Sequence, residues 1–270
     1  MSESTLEAPR ISAAPEIPDQ ERAPEAVPWT LRAFMRQHPW WTTTVILAVV
    51  SIALLAYAGT RPSFDAYGWL VWGYQALHGS LDLGGAPSWK PMPLLFTAPF
   101  AIFGQYQLRL WMFTSVFVSL AGVVFAGRIA FRLTGGKAAV ADADPFRRAA
   151  PIAAAIFAGA AVLGTEDYTH YILSVQTDPM LVTFGLAGLD MFLLGRYRWT
   201  LVIGVIAALG RPEFFAFVGP FMVFYVARSW LRLPRRQAAL EIALVAIGAA
   251  AIVFMLSLIH ISEPTRQAEI

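Results

Sequence analysis

The chain contains no cysteine. That excludes a disulfide framework and a thiolate metal site. Charged residues are also scarce, 14% of 270, where soluble domains run nearer ~25%. There is no Gly-rich phosphate loop between a strand and a helix, so no soluble nucleotide-sugar site is legible. No internal repeat recurs at a fixed period. What the chain has in excess is apolar surface: 57% hydrophobic residues and a mean hydropathy of +0.56. This composition predicts an all-α, polytopic transmembrane helical bundle. The formal charge of +2 says little by itself, because orientation depends on where the basic residues sit.

Two end segments stand apart. Residues 1–28 are rich in Pro, Ala, Glu and Ser, with six acidic residues and almost no large apolar ones. Such a segment cannot bury enough surface to offset chain entropy, and it predicts a disordered tail. It lacks the basic start and immediate apolar core of a signal peptide. At the other end, LSLIHISEPTR (Leu256 to Arg266) is what a transposon-type sequencing-library adapter yields when translated in this frame. Residues 256–270 are therefore expected to be non-native and Met255 the last native residue, with the natural protein continuing differently. His260 and Glu263 receive no role. Residues 29–255 remain as the membrane region, expected to be the N-terminal part of a longer protein.

Apolar runs predict spans at roughly 40–59, 107–128, 149–164, 179–195, 199–210, 213–229 and 237–255. Residues 93–104 are too short to cross, since a span takes ~20 residues, and suit a re-entrant or interfacial helix. Gly210-Arg211-Pro212 breaks a hairpin with short arms, and irregular backbone at depth is tolerated only inside protein or beside a wet cavity. Thirteen basic residues fall on one side: Arg32, Arg36, Arg128, Arg132, Lys137, Arg147, Arg148, Arg196, Arg198, Arg228, Arg232, Arg235 and Arg236. Only Arg61, Lys90, Arg109 and Arg211 fall on the other. The positive-inside rule makes the first group cytoplasmic, with the N-terminus inside and the 60–106 and 165–178 loops outside. The expected location is a cytoplasmic (plasma) membrane. Asp65, Asp82, Glu166, Asp167, Asp178 and Glu213 then lie on or near the outer side. Asp142 and Asp144 fall in a basic cytoplasmic loop, where solvation or pairing explains them.

The densest information lies in residues 61–93, RPSFDAYGWLVWGYQALHGSLDLGGAPSWKPMP. Residues 65–78 predict an aromatic helix lying in the interface, with Trp69, Trp72 and Ala76 on one side. Asp65 would sit near its start, either as a plain cap or as a reactive carboxylate. Lys90, flanked by prolines in SWKPMP, is held extended. It is either a headgroup anchor or a phosphate ligand. Asp178 precedes Pro179 and could cap the next span. His170 and the Glu166-Asp167 pair share its loop and give a weak metal signal. Arg211 and Glu213 could satisfy a helix break as an ion pair, or mark a substrate site, since ionisable groups at depth are costly. Asp190 lies near a cytoplasmic helix end, where Arg196 could neutralise it.

These residues together resemble the GT-C integral-membrane glycosyltransferases, nearest to the protein O-mannosyltransferase and aminoarabinose–lipid A transferase group. The likeness covers roughly residues 40–230. It rests on FDAYGWLVWGYQALHG with SWKPMPLLFTAPFAIFG, and on LSVQTDPMLVTFGLAGLDMFLL with AALGRPEFF. The resemblance implies a GT-C-like bundle with juxtamembrane helices in the first external loop. It implies transfer of a sugar from a polyprenyl-phosphate donor to an envelope acceptor (glycan, lipid or protein) on the outer face. Asp65 and Asp178 would be the catalytic acids, and Lys90 and Arg211 the donor-phosphate ligands. Glu213, Glu166, Asp167 and His170 are secondary candidates, and a divalent metal is left open. Membrane lipid is an expected partner and nucleic acid is not. The chain departs from the family pattern in reading KPMP rather than KPP, and in having Ala66 after Asp65 where a second acid is usual. A transporter or flippase of a lipid-linked or anionic substrate is the alternative, because broken hairpins and buried ion pairs occur there too. A non-catalytic envelope scaffold is the third reading.

Overall fold

The structure is a computed structural model that describes residues 34–35, 37–83 and 90–262. The 1–28 tail, Arg32, Arg36, Trp89 and residues 263–270 lie outside the described residues. Contacts divide the chain into two units, residues 1–43 and residues 44–270. In the first, His38 N–H donates to Phe34 O at 2.9 Å and Thr42 N–H to His38 O at 3.1 Å.

Every regular element among the described residues is helical. In chain order they are α1 (Pro39–Tyr57), α2 (Phe64–Leu77), α3 (Pro91–Ala101), a 3₁₀ turn (Gly104–Tyr106), α4 (Gln107–Leu133), α5 (Gly136–Val140), α6 (Pro145–Leu163), α7 (Tyr168–Leu173), α8 (Asp178–Leu193), α9 (Tyr197–Gly210), a second 3₁₀ turn (Pro212–Phe214), α10 (Phe215–Arg232) and α11 (Arg235–Ser262). Among the described residues five stretches are long and apolar enough to cross a membrane: Pro39–Tyr57, Gly104–Leu133, Pro145–Leu163, Pro212–Arg232 and Arg235–Phe254. That is the pattern of a multi-pass membrane protein. Two segments expected to span, 179–195 and 199–210, form helices of 16 and 14 residues. Both fall short of the ~20 residues of a full crossing, because the chain turns at Gly195, where φ is +69°, and at Arg211, where the backbone is extended. Helix α11 runs past Met255 to Ser262.

Helix α4 is the centre of the larger unit. It packs along α6 and along α8, while α8 packs on α9, and α2 packs on α3. Small residues set these crossings. A Cβ at Gly122 of α4 would lie 2.6 Å from Thr183 Oγ1 of α8, and one at Gly73 of α2 would lie 2.5 Å from the Thr97 carbonyl carbon of α3. Gln107 locks the second crossing, its Nε2 donating to Leu70 O and Thr97 O, each at 3.0 Å. A polar seam joins α4 to the α7–α8 region. Tyr168 OH donates to Ser119 O at 3.0 Å, Thr183 Oγ1 to Ser119 O at 3.3 Å, and Ser115 Oγ to Gln176 O at 3.3 Å.

Two expectations need correction. Trp69 and Trp72 do not lie against lipid; they are buried, 1% and 2% exposed, while Tyr67, Val71 and Tyr74 form the open side of α2. The tryptophans pack inward because α3 folds back over that face. Arg196 is not the partner of Asp190. That carboxylate is fully buried and takes Arg128 Nη2 at 3.1 Å, with Arg132 Nη1 beside its other oxygen. This pairing explains why α4 continues to Leu133 rather than ending near 128 as a hydrophobic run would suggest. A carboxylate without solvent must be neutralised and hydrogen-bonded, and both arginines reach it from the last turns of α4.

Gly73→Ala should lower the thermal unfolding midpoint in detergent, at a cost of about 1–3 kcal/mol for forcing an overpacked crossing apart. Gly219→Ala, whose Cβ would meet nothing within 4 Å, should leave the midpoint unchanged or raise it. A thermal unfolding scan of the two variants measures the contrast.

Candidate functional site

The first loop and the α7–α8 loop are joined through their backbones. Arg61 N–H donates to Leu173 O at 3.2 Å, and Ser63 N–H to Ser174 O at 2.9 Å. Ser63 is also the residue that opens α2, and Asp65 follows in its first turn, half-buried. Asp65 is thus not the cap itself. Its carboxylate sits where the helix dipole favours a negative charge, four residues after the tie at Arg61 and next to the α7–α8 turn's anchor. That turn contains Val175, a non-glycine residue at φ 62°, fully buried in the same core as Trp69.

Lys90 is extended, φ −131° and ψ 105°, and precedes Pro91 at the start of α3. Its Nζ lies 5.6 Å from the centroid of the Trp69 ring, an attraction of a cation to the ring face. Trp69 in turn meets Trp111 edge-to-face, centroids 5.7 Å apart. Beneath them lie Met92, Val175, Met180 and Leu209, from four different segments of one core.

Asp178 and Arg211 meet directly. Helix α8 begins at Asp178, one residue earlier than the sequence suggests, so Thr177 rather than Asp178 is the cap residue, and Thr177 makes no side-chain capping hydrogen bond. The Asp178 carboxylate instead accepts from Arg211 Nη2. Arg211 Nη1 also lies 3.8 Å from Glu213. The extended backbone at Arg211 and Pro212 after it end α9, which lets the side chain turn back to α8. The Arg211 side chain keeps 45% of its surface open and that of Asp178 keeps 27%. So the arginine is held by one acid, approached by a second, and still accessible to a third anion.

The structure therefore brings Asp178, Arg211 and Glu213 together. It places Lys90 on a tryptophan of the core that Met180 and Leu181 share, and ties the start of the Asp65 helix to the turn leading to Asp178. Among the described residues no hydrogen bond or ion pair joins Asp65 or Lys90 to the Asp178–Arg211 pair. Glu166, Asp167 and His170 are exposed. Asp167 adopts φ 59° and its carbonyl starts α7, accepting from Tyr171 N–H at 2.8 Å. Among the described residues no group of three or more His, Asp or Glu side chains could hold a metal ion. Asp82 carries a structural contact through its carbonyl, which accepts from Trp72 Nε1 at 3.1 Å.

The core beside Lys90 and Asp178 carries unsatisfied polarity. Trp69 Nε1, Trp111 Nε1, Thr97 Oγ1 and Thr177 Oγ1 are buried without a hydrogen-bond partner. Such groups are costly inside a packed core. Nearby, burial pushes the Tyr168 phenol above its ordinary range, opposed in part by Thr183. It stays a neutral donor to Ser119 O.

One polar cluster was not read from the sequence. Glu241 of α11, 5% exposed, accepts from Arg198 Nε at 2.5 Å and from Tyr225 OH at 2.6 Å. An acid inside an apolar run is the signal that marks it. The cluster joins α9, α10 and α11 and is distant in sequence from the loops that carry Lys90 and Asp178. Comparison of the chain with family models, with curated proteins and with solved structures finds no match.

The Asp178–Arg211 pair is open to solvent, and exposed pairs contribute ~0.2–1 kcal/mol. A double-mutant cycle of Asp178→Asn and Arg211→Gln should give a stability coupling of no more than about 1 kcal/mol. Arg128→Gln with Arg132→Gln, which leaves Asp190 buried and unpaired, should cost about 3–5 kcal/mol. Chemical denaturation in mixed micelles compares the two directly.

Proposed function

We propose that this chain belongs to a membrane glycosyltransferase that takes its sugar from a polyprenyl-phosphate donor. The observation that carries the reading is the Arg211 guanidinium, fixed by Asp178 yet accessible, three residues before Phe214, which lines an apolar groove. The groove encloses about 760 Å³ between α8, α9 and α10 and is lined by Phe184, Phe192, Phe214, Phe217 and Phe221. Phe214 N–H donates to Arg211 O at 3.2 Å, so one turn carries both the cation and part of the groove wall. A polyprenyl phosphate has the same layout: an anion joined to a long branched hydrocarbon that cannot leave the bilayer.

In this reading Arg211 and Lys90 meet the donor phosphate and stabilise the charge that develops on it as the bond from the anomeric carbon to the phosphate oxygen breaks. The acceptor hydroxyl oxygen forms the new bond to that carbon and gives its proton to the Asp65 carboxylate. Asp178 holds Arg211 in position. Ala66 cannot assist Asp65, so a single carboxylate carries the proton. The 61–106 and 165–178 segments face the outer side in this scheme, in line with the basic residues concentrated at the other ends of the helices.

Reconstituted protein supplied with radiolabelled polyprenyl-phosphate sugars and membrane extract tests the proposal. Transfer should fall about 100-fold or more in Asp65→Asn, and by a similar factor in Lys90→Met or Arg211→Gln. Transfer that survives all three substitutions contradicts the reading. Movement of the intact lipid across the bilayer without cleavage would instead identify a transporter.

A further inference from the structure

A second groove lies on the far flank of α4. It encloses about 840 Å³ between α4, the start of α5 and α6, within the ~300–1,000 Å³ of ligand sites. Its floor is formed where Gly127 and Gly159 let the helices close: a Cβ at Gly127 would lie 3.0 Å from Ala155 O, and one at Gly159 would lie 3.1 Å from Val123 Cγ1. Val124, Phe131, Ile156 and Leu163 line the walls. Arg128, Arg132 and Lys137 line the same groove. Among the described residues both arginines pair with the same carboxylate, Asp190. Each arginine keeps 29% of its side chain exposed. A guanidinium has five N–H donors, more than one carboxylate can accept. Lys137 is exposed, and among the described residues no carboxylate pairs with it.

We propose that this groove binds an anionic phospholipid, its phosphate against Arg128, Arg132 and Lys137 and an acyl chain along the α4–α6 seam. Charge complementarity selects the headgroup: the lining carries Arg128, Arg132 and Lys137 and no acid among the described residues, and basic recesses between spanning helices take anionic lipid. The apolar walls select a lipid over a soluble anion, which would gain nothing from Ile156 or Leu163. The location fits as well. Helix α6 is long and apolar enough to span and buries little of itself, so its flank faces hydrocarbon. The site is independent of sugar transfer, and it stands or falls apart from that reading.

The test uses the whole chain in detergent, titrated with dioleoylphosphatidylglycerol or dioleoylphosphatidylcholine and followed by native mass spectrometry. Phosphatidylglycerol should bind about fivefold or more tightly than phosphatidylcholine. Lys137→Gln should weaken it about fivefold, the effect of one basic residue at an anionic surface, and Lys137→Arg should restore it. Ala160→Trp fills the groove from an exposed position and should abolish retention of the anionic lipid while helicity is unchanged. Equal retention of the two lipids would overturn the proposal. So would phosphatidylglycerol binding that ignores both Lys137→Gln and Ala160→Trp, or competition by inorganic phosphate as strong as by the lipid.

Discussion

The edge-to-face contact of Trp69 with Trp111, centroids 5.7 Å apart, is the constraint on which the arrangement depends. Trp69 belongs to the helix after the first span, and Trp111 to the central helix. Their contact turns a loop between two spans into part of the core. Once α2 is buried on this face, α3 must fold over it, and Gln107 satisfies the carbonyls left at their crossing. Lys90 then has one place to be, over the ring of Trp69. The same cluster takes Val175 and Met180, which sets the turn before Asp178. Local helix signals alone would not fix that geometry; the shared aromatic pair does.

Charge is handled in two contrasting ways. Asp190 and Glu241 lie inside the bundle and are matched by arginines and, for Glu241, a tyrosine. Those clusters are closed: each buried acid has its partners, and they hold helices together. Asp178 and Arg211 form an open cluster, both partly exposed. An ion pair left accessible contributes little to stability. It is therefore a better candidate for binding than for scaffolding, and the proposed transfer chemistry rests on that difference.

Much of the helix layout was legible in the sequence, because long apolar runs bounded by Gly, Pro and Arg leave few alternatives. The break at Arg211, the extended Lys90 and the short helix after it are all local consequences of proline. The direction in which α2 faces was not legible. An aromatic amphipathic helix reads the same whether its tryptophans meet lipid or protein, and only the α3 crossing at Gly73 decides. The partners of Asp190 were misread for a related reason: Arg196 is near in sequence, while Arg128 and Arg132 are some sixty residues away and are brought in by packing of α4 on α8. Glu241 was passed over because its partners lie on two other helices. Of the candidate site, Asp178 with Arg211 is joined in the structure, while Asp65 and Lys90 are linked to them through backbone ties and a common core.

The central claim is that the loop before α2 and the loop before α8 meet on one side of the membrane. The absence of cysteine allows a clean test. Ser63→Cys with Ser174→Cys, at positions joined by a 2.9 Å backbone hydrogen bond, should form an oxidised cross-link in native membranes. Arg61→Cys and Thr169→Cys, single variants at exposed positions of the same two loops, should each be labelled by an impermeant maleimide from the same side. Absence of the cross-link, with the two thiols labelled from opposite sides, would contradict the account.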